Sequence, residues 1–285
     1  MVSFCQHLFL HYSKKNRKVE KSSWLMVKWP AKSLQPPSNS VHHHPMNNTE
    51  KFSVVLPVFN EQDNLQSLFA EIRAAADATG RPWEAVFVDD CSTDNSLSII
   101  KKMADDFDEV RFVAFAENRG QSAAFCAGFD AVQSDIVVTM DADLQNDPAD
   151  IPDMLAAFGD GCEMVIGWRA KRKDTFIKRI SSKIANAIRD GIMDDGVHDT
   201  GCSLKVMRSD LLRKLPRFKN MHRYFPILMK MQGVLIREVK VNHRERATGV
   251  SKYGTLDRAM AGIYDLIGVK WLINRHIEFT VKEKK

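Results

Sequence analysis

The 285-residue chain has neither of the common glycine-rich nucleotide loops, G-x-G-x-x-G or G-x-x-x-x-G-K-[ST]. Only glycine lets a backbone close on a pyrophosphate, so NAD, FAD and P-loop chemistry are disfavoured. Paired cysteines are missing too. Cys5, Cys91, Cys126, Cys162 and Cys202 are odd in number and far apart, without a CxxC pair or a zinc-like Cys/His spacing. Reduced thiols in a cytosolic compartment are the expectation. No run reaches the roughly 18–20 apolar residues that a spanning helix needs, so the chain is not expected to cross a bilayer by itself. The short apolar start is followed by HYSKKNRKVEKSS with no A-x-A-like cleavage site, which argues against a signal peptide. A net charge of +5 is small for this length and gives no reason to expect a nucleic-acid partner.

What is present fits a globular α/β protein: 44% of residues are hydrophobic and 27% charged. Residues 1–50 stand apart as a polar, Pro-containing extension without strand or helix periodicity, expected to be disordered; the run His42, His43, His44 reads as incidental composition. From Phe52 a regular unit repeats. FSVVLPVF, WEAVFVDD, EVRFVAFA and DIVVTMDAD read as strands, each followed by a helical pattern. Such alternation predicts a mostly parallel sheet covered by helices, with ligands beyond the carboxyl ends of the strands. CEMVIGWR, CSLKVMR and VLIREVKV read as further strands, and LDRAMAGIYDLIGVKWLINRH as a closing helix.

Four strand ends bring polar residues to that edge: Pro57–Asp63, Asp89–Asp94, Asp141–Gln145 and Gly167–Arg169. In the second, a carboxylate would accept hydrogen bonds from a base or ribose, while Asp and Ser there also suit a helix cap. In the third, two carboxylates one residue apart can aim at one hard cation, which a departing diphosphate requires. In the fourth, Arg169 would clamp a phosphate, or stand as an ordinary surface arginine.

The ordered series PVFNE, VDDCSTD, ENRGQSAA, DADLQNDP, VIGWR, KRISSKIAN, DTGCSLK and HRERATGVSKYG resembles the inverting family-two glycosyltransferases of GT-A fold, in particular their dolichol-phosphate mannosyltransferase branch, over about residues 52–275. The resemblance implies a hexosyltransferase domain over 51–253; the remaining 254–285 are expected, from their apolar stripe and flanking charges, to form a C-terminal amphipathic interfacial helix and tail. It implies that Pro57, Phe59, Glu61, Val88 and Asp90 hold the donor nucleotide, with Ala142 packed beside it. It implies that Asp141, Asp143 and Gln145 ligate Mg²⁺ or Mn²⁺, with Asp143 and Arg169 as the catalytic pair. Arg169 would face the donor or acceptor phosphates, Arg246 and Lys252 would close over the diphosphate, and Arg179 and Ser182 would meet a lipid phosphate. The implied substrates are a nucleotide-sugar, GDP-mannose or UDP-glucose, and a polyprenyl phosphate. The chain departs from many members at Gly201–Lys205, where they carry a G-F-R-like segment, and it lacks the C-terminal transmembrane helices of some.

A basic amphipathic stretch from Arg169 to Arg189 and an apolar stripe of Leu256, Met260, Ile263, Tyr264, Ile267 and Trp271 suit a membrane surface, so a peripheral position on the cytoplasmic face is expected. For the stripe, core packing is the competing reading. Two other functions compete: a family-two enzyme with a soluble or polysaccharide acceptor, and a non-catalytic protein that binds an anionic surface.

Overall fold

The computed structural model describes residues 50–170, 196–245 and 255–277. The expected extension, the basic stretch with Arg179 and Ser182, and Arg246 and Lys252 lie outside the described residues.

Seven strands are described: β1 Phe52–Val58, β2 Trp83–Asp89, β3 Val110–Ala114, β4 Ile136–Thr139, β5 Cys162–Trp168, β6 Lys205–Arg208 and β7 Leu235–Lys240. They form one sheet in the order β3-β2-β1-β4-β6-β5-β7. All run in one direction except β6, which is antiparallel to both β4 and β5. The sheet is therefore mostly parallel, as the alternating pattern predicts. The reversal has a positional consequence. The start of β6 lies at the same edge as the end of β4, with Thr139 opposite Lys205.

Both faces are covered, which is why β1 and β2 read as nearly continuous apolar runs rather than alternating ones. One face packs Phe52, Val54, Leu56, Ala85 and Phe87 against α1 (Leu65–Asp77), α2 (Ser96–Asp106) and α4 (Ile151–Ala156). The other packs Val55, Val86 and Val88 against α3 (Gln121–Ala131), α5 (Ser209–Arg213), α6 (Phe225–Lys230) and α7 (Thr255–Asn274). Helix α3 lies very close to the sheet. A Cβ on Gly128 would stand 2.3 Å from Val55 Cγ1, so only glycine fits at that crossing.

The stripe on α7 is not core where its side chains are described. Leu266 and Val269 face the interior, while Tyr264, Ile267 and Trp271 are 80%, 63% and 63% exposed. Among the described residues no helix is long and apolar enough to cross a membrane.

Candidate active site

The edge formed by the ends of β1, β2, β4 and β5 and the start of β6 holds most of the chemistry. Three non-glycine residues just past strand ends adopt left-handed backbone: Asn60 (φ 57°), Cys91 (φ 59°) and Leu144 (φ 61°). Each such residue stores conformational strain, and strain of this kind gathers where side chains must be aimed.

The first two loops are laced together. Asn60 N–H donates to Ser92 Oγ (3.0 Å), Glu61 N–H to Ser96 Oγ (2.9 Å) and Gln62 N–H to Asp94 Oδ2 (3.2 Å). In return Asn60 Oδ1 accepts from Thr93 N–H (2.7 Å). Burial alone would raise the Asp94 carboxyl, but the donors from Ser96 and Gln62 outweigh it and hold it below the usual range. Pro57 and Val88 sit side by side in register, next to Val58 and Asp89. Asp89 and Asp90 are both buried. Asp89 Oδ2 accepts from Ser92 N–H at 3.1 Å, while its Oδ1 is buried and has no hydrogen-bond partner among the described residues. Asp90 does different work. Its two oxygens accept the backbone N–H groups of Arg119 (2.6 Å) and Gly120 (2.8 Å), which pins the loop between β3 and α3.

The third loop follows β4. Asp143 Oδ1 accepts from Gln145 N–H (3.2 Å), closing the turn around the left-handed Leu144, with Ala142 buried between the two carboxylates. Asp141 Oδ1 accepts from Gln121 Nε2 at 2.7 Å. Burial and the charge of Asp143 push the Asp141 carboxyl up, opposed by the Ser203 hydroxyl, Lys205 and Arg169. A carboxylate raised by burial and by its neighbour's charge in this way is relieved by a divalent cation. Among the described residues no three His, Cys, Asp or Glu side chains gather into a complete cage. The residues fit a hard cation held by few protein oxygens, whose other ligands are phosphate and water, as is usual for Mg²⁺.

Arg169 leaves the end of β5 and meets Asp199 in a fork: Nε to Oδ2 at 2.7 Å and Nη2 to Oδ1 at 2.8 Å, with both side chains largely buried. Burial would lower the guanidinium, but Asp199 more than offsets it and raises it further. Two of its five N–H groups are used in this fork, and the rest can serve a phosphate while Asp199 holds the plane. Beneath them lies Lys205, 3% exposed, whose ammonium donates to the Cys202 carbonyl. Burial lowers it, against the pull of Cys202, Asp141 and Asp199. Gly167 is closely packed here: a Cβ would stand 2.9 Å from both Cys202 Sγ and a Val241 methyl, so a larger residue would force these side chains to shift.

Arg244 brings the last described loop to the same place. Its N–H donates to the Gln145 carbonyl (2.9 Å), and its guanidinium bridges Glu71 (2.6 Å) and Asp147 (2.7 Å). Reading the sequence alone singled out Asp141, Asp143 and Arg169 but not Asp199, Lys205, Gln121 or Arg244. All four sit in quoted motifs, ENRGQSAA, DTGCSLK and HRERATGVSKYG, yet Gln121 and Asp199 meet partners 20 and 30 residues away in sequence. A groove of about 480 Å³ between α1 and α2, lined by Phe69, Arg73, Ile99, Met103 and Phe107, lies on a helical face and takes no part in this edge.

A parallel sheet with one reversed strand, ending in a DxD turn and no glycine-rich loop, defines a GT-A glycosyltransferase fold. Glucosyl-3-phosphoglycerate synthase from Mycobacterium tuberculosis, solved with Mn²⁺, UDP and glucosyl-3-phosphoglycerate, shares that fold at a TM-score of 0.59, with 20% identity over 78% of this chain and 79% of its own. Residues 53–216 match the model described as "Glycosyl transferase family 2", and the chain belongs to that family. It is 36% identical to a dodecaprenyl-phosphate galacturonate synthase of Rhizobium johnstonii over 230 residues, 78% of this chain and 67% of the relative. It is 34% identical to an undecaprenyl-phosphate 4-deoxy-4-formamido-L-arabinose transferase of Salmonella paratyphi A over 219 residues, 76% of this chain and 67% of the relative. The resemblance drawn from the motifs thus holds at the level of family and fold. Neither of these relatives is named for mannose or glucose.

Proposed function

We propose that this glycosyltransferase moves a sugar from a nucleotide donor to a polyprenyl phosphate, with inversion and with a divalent cation. The observation that carries the reading is the likeness to two enzymes named for polyprenyl-phosphate acceptors, over most of the chain. The geometry supports it independently. Acidic strand ends repel phosphate unless a cation is bound, which disfavours a passive anionic-surface binder.

In this reading Pro57, Phe59, Glu61, Val88 and Asp90 line the nucleoside end, and Asp141, Asp143 and Gln145 hold Mg²⁺ or Mn²⁺. The cation, when bound, neutralises charge on the diphosphate as it departs. Arg169, fixed by Asp199, holds a phosphate in place, and Arg246 and Lys252 close over the diphosphate. Arg179 and Ser182 take the acceptor phosphate. A phosphate monoester with a second pKa of about 6 is largely dianionic at neutral pH and needs no general base. The protein's task is alignment: the acceptor oxygen is held in line with the anomeric carbon, opposite the leaving group. The family-two domain spans 51–253, and 254–285 is an interfacial helix and tail. A lipid acceptor is favoured over a soluble one by the exposed Tyr264, Ile267 and Trp271, which suit a protein resting on the cytoplasmic face of a membrane.

The donor is mannose or glucose by motif resemblance, galacturonate or formamido-arabinose by likeness to the relatives. The deciding experiment is a panel of these four donors against undecaprenyl phosphate, with Mn²⁺ and with chelator. Transfer from one donor, abolished by chelator, is expected. Failure with every donor on the lipid, alongside transfer to a soluble acceptor, would overturn the acceptor assignment.

A further inference from the structure

We infer that Gln121 is a positioning residue for Asp141, joining the nucleoside end of the cleft to its cation end through a continuous run of hydrogen bonds. The inference rests on the cation-dependent reading above and assigns a task to a residue outside the proposed ligand set.

The run starts at β2. Asp90 N–H donates to the Val58 carbonyl (2.8 Å), so Asp90 is fixed to the neighbouring strand. Its carboxylate holds Arg119 N–H and Gly120 N–H, and its carbonyl accepts from Asn118 Nδ2 at 3.0 Å. Gly120 turns the chain at φ +86°, a conformation that L side chains rarely adopt, and α3 begins at the next residue. Gln121 is that residue. Its amide crosses to the loop after β4 and donates to Asp141 Oδ1 at 2.7 Å. The helix is set from its other end as well, because Gly128 lies hard against Val55. The amide therefore has little freedom to follow Asp141 if the carboxylate turns.

The chemistry suits the task. A carboxylate with one oxygen held by an N–H has its plane fixed and presents the other oxygen to a cation, the same logic by which outer partners orient metal ligands. A neutral amide does this without cancelling the charge that attracts the cation. A lysine at 121 would cancel it, and a glutamate would repel Asp141.

The test uses the full-length chain and Mn²⁺ as the probe. Free Mn²⁺ is followed by electron paramagnetic resonance with UDP or GDP present, and unfolding is measured without metal. Gln121→Met keeps the volume and removes the donor. It should weaken Mn²⁺ binding by about 10–100-fold, the usual effect of losing an outer partner, while the metal-free unfolding midpoint stays at the parent value. In an Asp141→Asn background the same change should have no further effect on Mn²⁺. Parent-like Mn²⁺ affinity in Gln121→Met overturns the inference, as does an equal loss of affinity in both backgrounds. If the parent itself binds no Mn²⁺ with either nucleotide, the cation-dependent reading fails first, and the inference with it.

Discussion

At the scale of single residues, the site is organised by pairs that the folded chain brings together. Arg169 and Asp199 are the clearest case, two charges largely removed from water and satisfied in a fork. Removing one partner strands the other, so Asp199→Ala should cost about 3 kcal/mol in urea unfolding. Asp199→Asn, which keeps one acceptor, should cost less. A parent-like midpoint for Asp199→Ala would show that the fork contributes nothing to the fold. His222 gives a second prediction. Burial, with Arg223 and Lys205 nearby, lowers its pKa from 6.5 to about 3, and its Nδ1 shares a 2.7 Å hydrogen bond with Ser122 Oγ. The fold therefore keeps this imidazole neutral. Above pH 6.5 both states are neutral and the full stability is present; as pH falls below that value the unfolded chain gains a proton that the native chain refuses. By pH 5 the loss from this group should be about 2 kcal/mol. Comparing the parent with His222→Asn between pH 7 and 5 removes the contributions of Asp141 and Asp150, whose raised carboxyls act in the opposite sense. The variant should show a flatter profile; equal slopes would refute the assignment.

At the scale of elements, α3 is the part whose position matters most to the site, because it begins at Gln121 and is seated by Gly128. Gly128→Ala forces a methyl into Val55 and should cost about 1–3 kcal/mol of stability by overpacking. It should also weaken Mn²⁺ binding by tilting Gln121 away from Asp141. Loss of stability with unaltered Mn²⁺ affinity would separate the two effects and show that the helix start is not coupled to its middle. The strands were legible in the sequence because doubly buried strands leave β-branched runs, as in FSVVLPV and IVVT. The DADLQ turn was legible because two carboxylates followed such a run. Strand β6 was only partly so. Four residues, KVMR, carry too little pattern to show that they run against their neighbours. The partners of Arg169 and Asp141 were not legible at all, since nothing local in GWR or DAD marks Asp199 or Gln121. On α7 periodicity alone could not separate an inward stripe from an outward one; only packing shows Leu266 inside and Ile267 outside.

At the scale of the whole molecule, the exposed face of α7 yields a prediction about where the protein rests. Ile267→Ser with Trp271→Ser should leave the unfolding midpoint within the small range usual for surface changes and lower co-sedimentation with anionic vesicles. Undiminished co-sedimentation would mean that this face does not meet the bilayer. The reversed strand has a different consequence, one that concerns synthesis. As the chain leaves the ribosome, β1 to β4 can assemble in order, but β5 has no neighbour until Lys205–Arg208 follow, because β6 stands between it and β4. During that interval the nascent sheet carries a bare β4 edge and an unpaired apolar strand, the kind of surface that sticks to other chains. Half of the candidate site, Arg169, Asp199 and Lys205, comes into being only when β6 zips the two halves shut. A chain halted at residue 200 should therefore collect in aggregates and depend on chaperones, whereas one halted at 245 has all seven described strands in hand.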